Sequence, residues 1–573
     1  MGTTQADDDI EMADGRTSGG HVLDRPAAAL TGVLAAGAAL AAGEFAASLA
    51  APRPGPVVAV ANRVVDEAPN WFVEFGKSVF GLNDKPALIV GTILISLVLG
   101  AVFGLVARSR PAAAALGVVA FGLIGWVSMG VDAQSGWFAG LVISVVAVAA
   151  GLAVLRFLPA TLRPDRATTG LRTPAGTPLT PGQGATSAPP ATAAAGATGT
   201  VTASPTDPPV SRRRFLGWAG VVGAGGAVAA VSSRELQARS SASQARDAVE
   251  FTAAAEGATA EIEQTVTAAA SDVVGSTDGI TPLIVPSEDF YLIDTALIKP
   301  QVDPASWSLT INGMVDQEVT YTYDDLLERA ETVAPVTLSC VSNEVGGDLV
   351  GNAIWRGVPL VDLLDEAGVQ PGATQIASRS VDGWTCGFPT EAAYDGRTAL
   401  VAVGMNGEPL PIRHGFPARL VVSGLYGYVS ATKWVEEITL TTLEDFDGYW
   451  IPRGWSKFGP VKTQSRIDTP NRNERVEVGS TVPIAGVAWA PHRGIERVEV
   501  RVDDGEWMEA QLGESLGPDS WVQWLVPWVA TEGPHILQVR ATDGLGNVQT
   551  DVPAPPAPDG AQGWHQVQIE GVA

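Results

Sequence analysis

Two cysteines stand in a chain of 573 residues, and their settings differ. Cys340 closes the apolar run Val336-Thr337-Leu338-Ser339-Cys340 and opens the turn 341–347, the kind of loop from which functional side chains are presented. Cys386 lies inside Gly383-Trp384-Thr385-Cys386-Gly387-Phe388, a few residues from Asp382, and reads as structural, with a second thiol near a pocket as the alternative. Two cysteines are too few for a disulfide framework, and no CxxC or CxxCH pattern occurs, so zinc ribbons and c-type haem are excluded and any sulfur chemistry is single-site. A lone cysteine on a strand is by default a small buried hydrophobe. What sets Cys340 apart lies downstream: the run Met405-Asn406-Gly407-Glu408-Pro409-Leu410-Pro411-Ile412-Arg413-His414-Gly415-Phe416-Pro417-Ala418-Arg419, then Gly424-Leu425-Tyr426-Gly427 and Thr432-Lys433-Trp434. His414, Arg419 and Lys433 form a spaced set of cationic or donor side chains, and the glycine-rich stretch 424–430 offers backbone N–H groups that can form an anion-binding nest.

This constellation resembles the molybdenum-cofactor domain of the sulfite oxidase family, whose segments read N-G-x-P-L-P-x-x-H-G-F-P-x-R, G-x-x-G and K-W after a cysteine at the end of a strand. The resemblance covers roughly residues 286–570. It implies a molybdenum-molybdopterin cofactor with Cys340 as the metal ligand, which suits a soft metal that favours thiolate. It further implies that His414 and Arg419 hold the pterin, that Ser430, Ala431, Thr432 and Lys433 form the phosphate-binding turn, and that Asp382 contacts the pterin. Sulfite oxidases proper carry basic residues where this chain has Ile293 and Glu344. Losing such a charge at 4 Å contact removes about 4 kcal/mol of attraction per unit of opposite charge at an effective dielectric of about 20. Trp455, where sulfite oxidase has tyrosine, is similar to the methionine-sulfoxide reductase branch of the same family. A neutral S- or N-oxide substrate is therefore expected, with Trp384, Phe388 and Trp455 lining an apolar pocket. The resemblance implies two-electron oxygen-atom transfer in either direction.

The elements that must position these residues follow from composition. Four apolar runs, 27–50, 87–107, 112–131 and 137–155, are each long enough to cross a hydrocarbon core, and a shorter fifth runs from 215 to 231. None of the five histidines lies in a run, so the membrane region reads as an anchor that holds no haem through axial histidines. Arg108 and Arg110 join the second and third runs, and seven arginines between 156 and 214 join the fourth and fifth. Both loops are expected in the cytoplasm, which places everything after residue 232 on the outer face. Ser211-Arg212-Arg213-Arg214-Phe215-Leu216 matches a twin-arginine export signal, used for proteins exported already folded.

The predicted organisation is multidomain: a cytoplasmic tail (1–26), a four-helix membrane anchor (27–159), a disordered Pro/Thr/Ala linker (160–210), the signal with a fifth span (211–232), an Ala-rich stalk (233–285), an α+β catalytic domain (286–465) and an all-β immunoglobulin-like sandwich (466–573). Within the last, Arg497–Asp503 alternates strictly before the hairpin dipeptide Asp504-Gly505, with further strands at 521–529, 535–542 and 564–569. A net charge of −26 argues against nucleic acid. Six lysines beside thirty arginines and an acidic excess match the composition of salt-adapted proteins. The sequence thus points to an outward-facing molybdopterin oxidoreductase with no Fe–S cysteines, taking electrons from or giving them to an external one-electron carrier or a membrane redox subunit. The C-terminal domain reads either as the interface of a homodimer or as simple cover for the catalytic domain. A true sulfite oxidase and a cofactor-free surface or adhesion protein are the competing readings.

Overall fold

The computed structural model describes residues 24–49, 54–69, 84–160, 217–225, 241–251 and 253–573, with a few more between 72 and 80. The twin-arginine motif and all but the first residue of the predicted linker lie outside the described residues, and of the fifth apolar run only 217–225 is described, as helix. The chain opens with helices α1 (Arg25–Leu49), α2 (Pro56–Glu67), α3 (Asp84–Ala107), α4 (Pro111–Val131) and α5 (Trp137–Ala160). All but α2 are long and apolar enough to cross a membrane, at the four places the sequence indicates. The short α2 is an addition to that reading: it opens at Pro56, where a missing N–H costs nothing, and buries Val57, Val58, Ala59 and Ala61.

The chain divides into two compact units, one formed by 1–42, 93–122 and 145–229, the other by 43–92, 123–144 and 230–573. In the first, apolar helices meet through small residues: a Cβ added to Gly32 or Gly104 would run into the backbone of Gly100 or Ala28. That close approach is how helices associate where no hydrophobic drive separates them from lipid.

The second unit begins its soluble part with α6 (Ser241–Asp247) and α7 (Ala253–Ala270). The stretch predicted as a stalk lies against the catalytic domain here. Arg246 donates to the carbonyls of Leu410 (3.0 Å) and Pro409 (2.9 Å), and the Arg356 guanidinium sits 3.8 Å from the Phe251 ring centroid. A mixed α/β domain follows: β1 (Ser308–Gly313), β2 (Val319–Thr322), α8 (Tyr323–Arg329), β3 (Thr332–Ser339), β4 (Val350–Pro359), α9 (Leu360–Ala367), β5 (Gln375–Ser380), β6 (Thr385–Pro389), β7 (Ala399–Met405), β8 (Glu408–Pro409), β9 (Arg419–Val422), α10 (Gly427–Ser430) and β10 (Val435–Thr441). One sheet has the order β2-β1-β10-β5-β6, with β1 and β10 parallel; the other has β3-β4-β7-β8, with β9 on β7. Local sequence explains the helices. Thr322 and Asp325 form a reciprocal capping box at the start of α8, and α9 buries Leu360, Leu363, Leu364 and Ala367 on one stripe before Gly368 ends it in the left-handed region.

The C-terminal region is β-rich: β11 (Gln464–Thr469), β12 (Arg475–Glu477), β13 (Thr481–Trp489), β14 (Ile495–Val502), β15 (Met508–Glu509), β16 (Gln511–Leu512), β17 (Val522–Val529), β18 (Gly533–Asp543) and β19 (His565–Val572). Two sheets, β11-β13-β17-β16 and β12-β19-β18-β14-β15, share one core in which Ile484 and Trp524 meet Val498, Val500, Leu537 and Ile569. The Asp504-Gly505 dipeptide joins β14 to its antiparallel partner β15, as the alternation before it predicts.

This region also completes the catalytic core. Trp521 is fully buried, donates its indole N–H to Leu283 O (2.8 Å), and its backbone N–H bonds the Thr337 hydroxyl (2.8 Å). Asp519 accepts from Ser423 and Thr398, and its carbonyl accepts from the Thr337 N–H at 2.9 Å. These bonds grip β3, the strand that delivers Cys340. Trp521→Ala should therefore destabilise by about 3–5 kcal/mol through the cavity it leaves, and urea unfolding followed by tryptophan emission and far-UV circular dichroism would show a matching fall in midpoint.

Candidate active site

Cys340 immediately follows β3, and its turn is closed by the backbone. Its N–H donates to Leu349 O (2.9 Å), its carbonyl accepts from the Asn343 N–H (3.0 Å), and the Asn343 side chain accepts from the Leu349 N–H (2.9 Å). The Ser342 N–H points at Sγ from 3.4 Å, an arrangement that favours a thiolate. The side chain is 8% exposed. Beside it, Tyr291 and Arg419 are both electrostatically coupled to the same small volume: burial raises the Tyr291 phenol, Cys340 raises it further, and Arg419 acts against them.

Arg419 starts β9 from the edge of β7 and is the most telling group. Its guanidinium donates to the carbonyls of Leu420 (3.3 Å) and His414 (3.2 Å) and rests 4.8 Å from the Trp355 ring centroid. Burial lowers its pKa to about 10, and among the described residues no carboxylate pairs with it. A buried cation held only by carbonyls and a ring face is short of a counter-ion. Gly415 makes the packing possible: its φ is 117°, and a Cβ there would press on Arg419 and Lys433 at 3.0–3.2 Å.

His414 occupies a single helical turn at 412–414. Its Nε2 lies 2.9 Å from Ser287 O, and since a carbonyl only accepts, Nε2 carries the proton and Nδ1 is left as an acceptor. Burial, reinforced by Arg419, lowers its pKa to about 3, so His414 is a neutral group rather than one of a cationic trio. Lys433 sits between α10 and β10. Its Nζ bonds Asp294 (2.5 Å) and Arg413 O (3.2 Å), while Trp434 pins the same turn through its indole N–H to Ile412 O (2.9 Å).

The other predicted cofactor residues gather nearby with their side chains engaged. The Ser430 hydroxyl donates to Tyr426 O (3.1 Å), Ala431 bonds the Gly427 carbonyl through its N–H (3.0 Å), and the Thr432 hydroxyl meets Ser378 (2.7 Å) and Cys386 (3.1 Å). Burial pushes the Cys386 thiol up to about 11, so it is a neutral partner in this hydrogen-bonded trio. Asp382 forms the turn between β5 and β6, accepts from the Trp384 N–H (3.1 Å) and lines a cavity of ≈ 360 Å³ with Trp384, Lys299 and Tyr449; burial raises its carboxyl. The predicted aromatic pocket does not form as one. Phe388 is fully buried in the core, Trp384 lines that cavity, and Trp455 is absent from its lining, packing instead on Tyr428 and Trp450 at 5.8 and 6.5 Å between ring centroids.

Asp294 is the residue that sequence reasoning missed. It is the partner of Lys433, Lys299 and Lys85, three of only six lysines, and that scarcity was the available signal. The residues present also fit the implied cofactor. Among the described residues no three His, Cys, Asp or Glu side chains converge, so a metal held by Cys340 would draw its remaining ligands from a cofactor, and the uncompensated Arg419 suits an anionic one.

Comparison with known proteins agrees. Residues 296–450 match the family model described as the oxidoreductase molybdopterin binding domain. The chain is 31% identical over 170 residues to the uncharacterized oxidoreductase YuiH of Bacillus subtilis, covering 30% of this chain and 82% of that protein. It is 30% identical over 345 residues to the mitochondrial sulfite oxidase of Rattus norvegicus, covering 51% of this chain and 63% of the rat protein. The chain belongs to the sulfite oxidase family of molybdopterin oxidoreductases. It spans less than two thirds of the rat relative's length, so that relative's substrate is not carried over with the family. Membership makes this chain an oxidoreductase and bears out the enzyme reading over the adhesion reading.

His565 shares the neutral state of His414: burial lowers its pKa to about 4, and its Nδ1 accepts from the Ile467 N–H at 3.0 Å. For both, the unfolded chain takes up a proton near the ordinary pKa of 6.5, while the folded chain does so only near 3 or 4. Stability contributed by the neutral rings is thus present above pH 6.5 and lost as pH falls below it, at about 1.4 kcal/mol per pH unit per histidine. Chemical denaturation at a series of pH values should show this slope, and His565→Gln should remove one histidine's share of it.

Proposed function

We propose that this chain is a membrane-anchored molybdopterin oxidoreductase that performs two-electron oxygen-atom transfer on a neutral S- or N-oxide type substrate at the outer face. The observation that carries the reading is the buried guanidinium of Arg419, unpaired with any carboxylate among the described residues, which acts with Cys340 on the same buried Tyr291. When bound, the molybdenum-molybdopterin cofactor would supply the two-electron, oxygen-carrying redox centre. The protein's own part is to hold and shape. Cys340 would give the thiolate ligand, with the Ser342 N–H aimed at the sulfur. Arg419 and the remaining N–H of Lys433 would hold the anionic part of the pterin, and Nδ1 of His414 would accept from it. Asp382, Ser430, Ala431 and Thr432 would close the pocket around it.

Support for a neutral substrate comes from Glu344, which stands exposed on the Cys340 turn, and from Ile293. Trp455 contributes through its packing on Tyr428, not as a lining group of the Asp382 cavity. Sulfite oxidation is the second reading, favoured by the name of the rat relative. Four membrane-length helices support anchoring, and the two-sheet core of 466–573 supports an immunoglobulin-like module; a dimer through that module belongs to the same proposal. Electrons would pass to or from a one-electron carrier or a membrane redox subunit.

Full-length protein from a host that makes the cofactor should carry stoichiometric molybdenum, with the fluorescence of oxidised pterin. Cys340→Ser should fold and lower turnover by on the order of 100-fold or more. Arg419→Met should fold yet lose pterin. Steady-state rates with sulfite and with sulfoxides separate the two substrate readings, and a folded wild type without molybdenum rejects both.

A further inference from the structure

Three ammonium groups share the buried carboxylate of Asp294. Oδ1 accepts from Lys85 (3.0 Å) and Lys299 (2.6 Å), and Oδ2 from Lys299 (2.6 Å) and Lys433 (2.5 Å). An ammonium has three N–H groups, and counting them assigns the roles. Lys85 uses all three, on Asp294 O (2.6 Å), Asp294 Oδ1 and Ala296 O (3.1 Å), so it is saturated and acts as a clamp on 294–296. Among the described residues Lys299 spends its two bonds on the two oxygens of Asp294 alone, whereas Lys433 bonds Asp294 and Arg413 O, bridging Asp294 to the 412–414 turn that carries His414, and keeps one N–H.

We propose that Asp294 is a positioning residue that aims and keeps charged the cofactor-facing ammonium of Lys433, and that Lys85, at the start of the apolar helix α3, holds Asp294 in that place. The inference rests on the reading in which Lys433 meets the anionic part of the pterin. It makes the anchor region part of the cofactor site rather than a tether alone.

The electrostatics give this a measurable sign. Burial lowers the Lys433 pKa to about 7, Asp294 opposes burial, and Lys299 and Arg419 act with it. The remaining groups around Lys433 are Asp382, whose carboxyl burial raises, His414, which is neutral, and Lys85 on the far side of Asp294. Asp294 itself is held well below the usual carboxylate range: burial works to raise it, and Lys433, Lys85 and Lys299 together overcome that. It is thus the carboxylate that sustains the ammonium. Without it, Lys433 titrates below its present value, its charge survives only at lower pH, and its grip on an anion is lost as pH rises through the new value.

The test uses full-length, cofactor-loaded protein and reads pterin retained after gel filtration, by fluorescence of the oxidised pterin, across a pH series. Asp294→Asn should release pterin about tenfold faster than wild type near pH 8 and approach wild-type retention near pH 6, as loss of about one pKa unit requires. Recovery at low pH in the same preparation separates a lost charge from a lost fold. Lys85→Met should move the profile in the same sense by less, Lys433→Met should retain little pterin at any pH, and the surface variant Lys457→Gln should match wild type. A loaded wild type whose pH profile is unmoved by Asp294→Asn overturns this inference alone; unmoved by Lys85→Met, it overturns the clamp. A wild type that carries no pterin overturns the inference together with the function on which it rests.

Discussion

A guanidinium taken out of water without a carboxylate is the constraint around which the catalytic domain is arranged. Arg419 cannot shed its proton to escape burial as a lysine can, so its surroundings must tolerate the charge until a counter-ion arrives. They do so with carbonyl oxygens from Leu420 and His414 and with the face of Trp355, a fully buried ring fixed by its own bond to Val336 O. The neutrality of His414 follows from the same charge, because a second cation beside Arg419 in a dry site would be opposed by both burial and repulsion.

The sheets explain how distant residues of the chain arrive at one place. The β3-β4-β7-β8 sheet, with β9 on β7, brings Cys340 from the end of β3 and Arg419 from the start of β9. The other sheet brings the Asp382 turn between β5 and β6, and Lys433 just before β10, which pairs with β5. Each functional group sits at a strand end or in a turn, where backbone bonds fix the chain while the side chain remains free to be aimed.

Much of this was legible in sequence because it is local. The HGFPxR run needs glycine at 415 for a positive φ and close contact with Lys433, and the K-W pair needs Trp434 to pin the 412 turn. The four membrane-length helices and the alternating β14 strand are patterns of the same short range. What escaped was non-local. Nothing near Asp294 in the chain announces that Lys85, Lys299 and Lys433 will meet on it, and Phe388 looks like a pocket aromatic until the pairing of β5 with β6 places it in the core. The Ala-rich 233–285 segment misleads for a related reason, since its weak periodicity hides the anchoring by Arg246 and Phe251.

The grip of Asp519 and Trp521 on β3 bears on how the molecule is made. The core of the catalytic domain includes Val487, Trp489 and Trp521, so it closes only with side chains that follow well after its own last sheet strand, Val435–Thr441. The strand that leads to Cys340 therefore gains its final neighbours only once residues 487–521 have been made. The C-terminal region keeps a core of its own but lends these side chains to the catalytic domain's core, through contacts of the long-range kind that fold slowly. A site whose supporting strand is held by residues 519–521 is complete only when those residues have packed, so closure of this shared core comes before the ligand is gripped.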